Sequence, residues 1–275
     1  MASPGPWALA TSPGPGDPVL VDTAGVVRAP AARVDRAGTA RRLVAAGGRF
    51  STALGIDLEA GEVEIERWFL AATLFGARIP TTIAERAFHV LDEAGVTVAT
   101  AREFSWEDLV ALLDRGGYAR YDYKTATRLQ KLCDALGERY GGRVCAIPAR
   151  AATSAELESA LDALPGWGPV TVGVFLRELR GIWPLASCAL DTRAAASARH
   201  LGLVDRRAKS LLGPVRDLAL AAGVDQRDLE GALVRNALAH HGDFQGCPGG
   251  RRCTALRLLA PSAPVATAAP TSTGR

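Results

Sequence analysis

Residues 164–173 read Leu164-Pro165-Gly166-Trp167-Gly168-Pro169-Val170-Thr171-Val172-Gly173, a turn with glycine at alternate positions between two helical patterns. Upstream, Thr153-Ser154-Ala155-Glu156 has the spacing of a capping box and opens a helix to about Leu164. Downstream, Pro169 suits a first helical turn, where its missing N–H is not needed, and Gly181 closes the helix that follows. Such a turn gathers backbone N–H groups at the start of the second helix, where the macrodipole favours an anion. Glycine there allows positive φ and close approach of a phosphate. On geometry alone two readings stay open: a phosphate clamp, or a tight helix–helix connection without a ligand.

Outward from this turn the pattern is helical. Ala, Leu, Arg and Glu dominate, and apolar positions recur at spacings of three and four. Helices are predicted over about 38–46, 62–75 (ending at Gly76), 80–94, 122–140, 192–201, 205–222 and 226–241. Ser105, with Glu107 and Asp108 behind it, caps a further helix running to Arg115. Only 18–22 and 25–30 have the character of short strands, so the fold is predicted to be all-α. Residues 1–16 hold seven Pro or Gly, and 260–275 are similarly biased; both ends are expected to be disordered.

Composition narrows the function classes. Of 275 residues, 48% are hydrophobic and 22% charged, a globular balance. No apolar run is long enough to cross a bilayer, and the N-terminus lacks the basic region of a secretory signal. Five scattered cysteines fit reduced thiols in a cytosol. The net charge is only +3, so a nucleic-acid face has to be a local patch. Two stretches qualify. Residues 115–143 contain seven Lys or Arg against three Asp or Glu, with all four tyrosines (Tyr118, Tyr121, Tyr123, Tyr140); residues 193–216 contain six basic residues against one acidic. These are either a surface that tracks a phosphate backbone or solvated helix faces.

The order Leu164-Pro165-Gly166-x-Gly168-x-x-Thr171, followed 20 residues later by Asp191 in Leu190-Asp191-Thr192, resembles the helix–hairpin–helix and Gly/Pro-Asp signature of base-excision DNA glycosylases of the endonuclease III type. Gly117-Tyr118-Ala119-Arg120-Tyr121-Asp122-Tyr123-Lys124 resembles the segment before that family's long middle helix. The run from Leu238 to Cys247 resembles its last helix entering a cysteine loop. The resemblance spans roughly 64–256. It implies two helical lobes with a DNA-binding cleft between them: one of 64–185 with the hairpin near 155–181, the other of 37–63 plus 186–258, with a flexible leader (1–36) and a disordered tail (259–275). It also implies a hairpin that holds a DNA phosphate through Pro165, Gly166, Trp167, Gly168, Val170 and Thr171, helped by Tyr121 and Lys124. Asp191 then faces a flipped nucleotide, and Arg78 is the residue placed to fill the gap the base leaves.

The chain departs from the family at three points. Bifunctional members carry a catalytic lysine one residue before the motif threonine; here that residue is Val170, which cannot form a Schiff base. The only lysines are Lys124, Lys131 and Lys209. Endonuclease III holds a [4Fe–4S] cluster on four closely spaced cysteines, whereas only Cys247 and Cys253 fall in that region, so no cluster and no metal ligands are expected. A two-cysteine zinc site could recruit only one of His240 and His241, because helix neighbours point about 100° apart. Adenine-specific members carry a Glu where Ala71 stands, which disfavours that specificity.

Asp191 also has a purely structural reading as the N-cap of Thr192-Arg-Ala-Ala-Ala. The two roles are compatible, since a helix N-terminus favours the charged carboxylate that glycosidic chemistry uses. Trp167 is either packed under the turn or exposed beside DNA. The sequence thus leads to a cytoplasmic, nucleoid-associated, monomeric DNA glycosylase acting on double-stranded DNA without lyase activity, or to a DNA-binding protein of the same fold that has lost catalysis.

Overall fold

The structure, a computed structural model, describes residues 35–77 and 79–258, with three two-residue strands at 8–9, 20–21 and 27–28. The remainder of the expected leader, and the expected tail, lie outside the described residues. Helices dominate: α1 (Arg36–Ala46), α2 (Phe50–Ala53), α3 (Glu62–Phe75), α4 (Thr81–Glu93), α5 (Trp106–Arg115), α6 (Asp122–Tyr140), α7 (Ser154–Asp162), α8 (Pro169–Glu178), α9 (Thr192–His200), α10 (Leu212–Ala222), α11 (Gln226–Ala239) and α12 (Thr254–Leu258). The exception to an all-α fold is an antiparallel ribbon of β1 (Ala8–Leu9), β2 (Leu20–Val21) and β3 (Val27–Arg28). Its second and third strands fall in the two strand-like stretches, its first inside the leader.

Local chemistry accounts for the helix starts. Asp35, Ser105, Thr153, Asp191 and Asp225 each accept a first-turn N–H, satisfying a donor that the helix itself leaves orphaned. The box at Thr153 is shifted slightly: Glu156 reaches the N–H of Ala152, one residue ahead of the cap. Two boundaries differ from expectation. Residues 205–211 are irregular, with a turn at 206–207 rather than helix, because the Asp205 side chain accepts from the Arg207 N–H at 2.9 Å and diverts the backbone before α10. Helix α8 ends at Glu178, with Ile182 and Trp183 both bonding back to the Leu179 carbonyl around Gly181.

Helices α1, α9, α10, α11 and α12 pack on one another, while α3 packs on α4 and α8, α4 on α5, α5 on α6 and α7 on α8. Helix α8 also meets α11. Trp68, Phe69, Phe88 and Phe175 are fully enclosed, as are Leu229 and Leu233; each such side chain contributes about 1.5–3 kcal/mol of burial. Leu238 and Leu256 pack against the same core partly buried. Buried charge ties the groups together. The carboxylate of Glu178 in α8, wholly enclosed, accepts from the N–H groups of Phe50 and Ser51 at 2.9 Å each and so caps α2. Among the described residues no helix is long and apolar enough to cross a membrane.

Candidate functional site

Helices α7 and α8 are joined by residues 163–168. Gly166 has φ +81°, and a Cβ there would collide with the Arg128 side chain lying against it. Gly168 is extended, and the space beside its Cα is open. The N–H groups of Gly166, Gly168, Val170 and Thr171 have no acceptor among the described residues. They face the conditions that favour an anion: a helix start, and a depression of about 460 Å³ lined also by Tyr121, Lys124 and Arg128. Lys124 is exposed, in the first turn of α6, and neither it nor Arg128 is in an ion pair among the described residues.

Two of the residues expected to contact DNA have buried side chains. Trp167 is packed under the turn, stacked on Phe69 at 4.3 Å with its Nε1 donating to Thr73 Oγ1 at 3.1 Å, and is buried. Thr171 is buried against Gly76, where the end of α3 approaches too closely for any side chain. What remains exposed is the backbone of the turn with Pro169 and Val170, while Pro165 is half-buried. Arg78 lies outside the described residues. Of the tyrosines, Tyr123 is exposed and Tyr121 half-buried, but Tyr118 donates to the Leu74 carbonyl in the core, and burial pushes its hydroxyl up to about 12.

Asp191 caps α9 with Oδ1, which accepts from the N–H of Arg193 at 2.7 Å and of Ala194 at 3.4 Å. Oδ2 makes no hydrogen bond among the described residues and lies 3.9 Å from Arg177 Nη1. The strand of chain leading into it is held by Arg180, which donates to the carbonyls of Cys188 at 2.7 Å and Ala189 at 3.5 Å and pairs with buried Glu230 at 2.9 Å. Asp191 lines a cleft of about 660 Å³ with Asp162, Gly173, Arg193 and Val170. Val170 also lines the hairpin depression, so the two sites are contiguous. Arg177 and Arg180 carry no signal in sequence: each is one arginine among many, and only its distant partners mark it out.

A second cluster forms at the other end of α9. His200, the last residue of that helix, meets His240, Cys247 and Cys253, the four ligating atoms all lying within 4.8 Å of one another. His240 Nε2 is 3.4 Å from Cys247 Sγ and 3.5 Å from Cys253 Sγ. His241 is exposed, at φ +54°, and takes no part. Burial works against ionisation of Cys247, but the N–H groups of Thr254 and Gly249, the Thr254 hydroxyl and His240 outweigh it and bring the thiol down to about 5. Burial pushes the Cys253 thiol up. With two cysteines instead of four, the ligand set of a [4Fe–4S] cluster is missing. His200 is the member that sequence reasoning missed, 40 residues from His240.

No protein-family model and no curated protein matches the chain.

Proposed function

We propose that the chain is a monofunctional DNA base-excision glycosylase of the helix–hairpin–helix kind, with two helical lobes flanking the DNA. The observation that carries this reading is the continuity of the Asp191 cleft with the hairpin depression through Val170. A duplex phosphate seated on the free N–H groups of the turn, beside Lys124 and Arg128, brings the adjacent nucleotide to the cleft. The base leaves the stack before reaction, as any chemistry at the anomeric carbon requires. Departure of the base builds positive charge on the sugar, and Asp191 Oδ2, the oxygen not spent on capping, stabilises that charge and orients a water to attack. The C–N bond breaks with its electron pair on the base, the water oxygen bonds to the anomeric carbon, and its proton leaves to solvent or the departing base. An abasic site is the product.

The test is a set of duplexes, each with one lesion (uracil, thymine glycol, G·T, 8-oxoguanine, 3-methyladenine), scored for base release by purified protein. Release from at least one supports the reading. Binding without release from any favours the alternative, a DNA-binding protein that has lost catalysis; the capping bonds of Asp191 favour that alternative, since they account for the residue without chemistry.

A further inference from the structure

We propose that His200, His240, Cys247 and Cys253 bind one structural zinc ion, which clamps the loop after α11 to the C-terminal end of α9. The four residues come from three separate places: the end of α9, the cap of α11, and a loop closing on the start of α12. Four ligands in tetrahedral geometry around zinc sit roughly 3.3–3.8 Å from one another, given Zn–N and Zn–S bonds of about 2.0 and 2.3 Å. His240 Nε2 meets that spacing toward both sulfurs.

The surroundings are built for a ligand. His240 Nδ1 lies 2.7 Å from the Asn236 carbonyl, a contact that places the proton on Nδ1 and the lone pair on Nε2, facing the cysteines. His200 is stacked on Phe244 at 4.3 Å, and its Nε2 is buried with no hydrogen-bond partner. A buried nitrogen left without a partner is unfavourable unless something takes it up. Cys247 receives the N–H of Thr254 at 3.4 Å and its hydroxyl at 3.6 Å, the outer contacts that hold a metal-bound thiolate. Gly249, at φ +68°, lets the loop lie on α9, since a Cβ there would stand 2.6 Å from the His200 carbonyl.

Chemistry selects the ion. Two thiolates and two neutral imidazoles balance one divalent cation, so the filled site carries no net charge, which suits its partly buried setting. Mixed S₂N₂ ligation with four positions filled is that of structural zinc. A two-iron, two-sulfide centre with the same residue types divides its histidines and cysteines between two irons. Here one histidine nitrogen contacts both sulfurs, which is the arrangement around a single ion.

Metal analysis of the full-length protein, purified without chelators, is expected to give one zinc per chain. Cobalt(II) exchanged into the wild-type protein is expected to show the intense visible bands of a tetrahedral site with thiolate charge transfer. Cys247→Ser and His200→Ala are each expected to lose zinc at least tenfold more readily to a competing chelator. His241→Asn, suited to the left-handed backbone there, is expected to retain it. Absence of both zinc and the cobalt spectrum in wild type overturns the proposal. So does stoichiometric iron with sulfide, an intact mass lacking two hydrogens from a Cys247–Cys253 disulfide, or full retention in His200→Ala. Should the variants fail to fold, the wild-type cobalt spectrum decides.

Discussion

Nη1 of Arg177 lies 3.9 Å from Oδ2 of Asp191, the oxygen that the helix cap leaves unused. Arg177 is almost wholly enclosed; its other neighbours are Glu178 Oε1 at 3.8 Å and the Phe50 ring at 4.9 Å, and its Nε has no partner. These separations exceed hydrogen-bond length, so the guanidinium stands beside Asp191 without a hydrogen bond to it. A buried cation therefore stands behind Asp191, where cleft and helix start meet.

That arrangement separates the two roles of Asp191 by mutation. Asp191→Asn keeps a good cap and is expected to melt as wild type does, while base release falls at least about a hundredfold. Asp191→Ala loses both, with stability lowered by about 1 kcal/mol. Denaturation curves and single-turnover release on the same preparations check this. Wild-type rates in Asp191→Asn would remove the residue from the mechanism.

Duplex binding is expected to weaken steeply between about 50 and 200 mM salt, with little dependence on sequence, because in the proposed complex the hairpin and basic residues meet phosphates. Gly168→Leu sets its Cβ in open space on an unstrained backbone, so it is expected to fold normally yet bind DNA several-fold more weakly. Fluorescence anisotropy at two salt concentrations measures both effects. Unchanged affinity in the variant would make the turn purely structural.

Base release is expected without strand cleavage. A lyase step needs an amine that attacks the anomeric carbon and persists as an imine. The side chain at that place is Val170; Lys124 lines the hairpin depression but not the Asp191 cleft. Borohydride reduction during turnover should leave protein and DNA separate on a denaturing gel. A covalent adduct mapping to Lys124 would refute the monofunctional assignment.

Acid is expected to loosen the packing around Arg227. Burial opposes ionisation of Glu59 and Asp225, but hydrogen bonds and charge from Arg227, 2.6 Å from each, outweigh it and hold both below the ordinary carboxylate range. Folded values below unfolded ones mean that this stabilisation is present above that range and is lost as pH falls through the lowered values. The stability gap between wild type and Arg227→Met should therefore be wide at ~pH 7 and narrow at ~pH 3. Urea midpoints at both values test it, and a gap independent of pH would show that packing alone matters at Arg227.

The helix map was legible in the sequence because its signals are local. Asp, Ser and Thr caps, Pro169 at a first turn and closing glycines act within four residues of the boundary they set, and α3, α5 and α6 follow their predicted limits closely. Where a local bond competed with periodicity, as at Asp205, the helix prediction over 205–211 failed. Asp191 was legible as a cap for the same reason, while its candidacy as a site residue rested on its place 20 residues after the hairpin.

Tertiary structure decided everything that depended on distant partners. Whether Trp167 lay under the turn or outside it rested on Phe69 and Thr73, about a hundred residues away, and they bury it. Arginines are common along this chain, and only packing against Phe50 and Asp191 distinguishes Arg177. His240 and His241 are equivalent as letters, but the end of α11 turns one inward and leaves the other exposed. The ligand that completes the cluster, His200, comes from another helix, because a closed metal site draws on chain segments that only folding brings together.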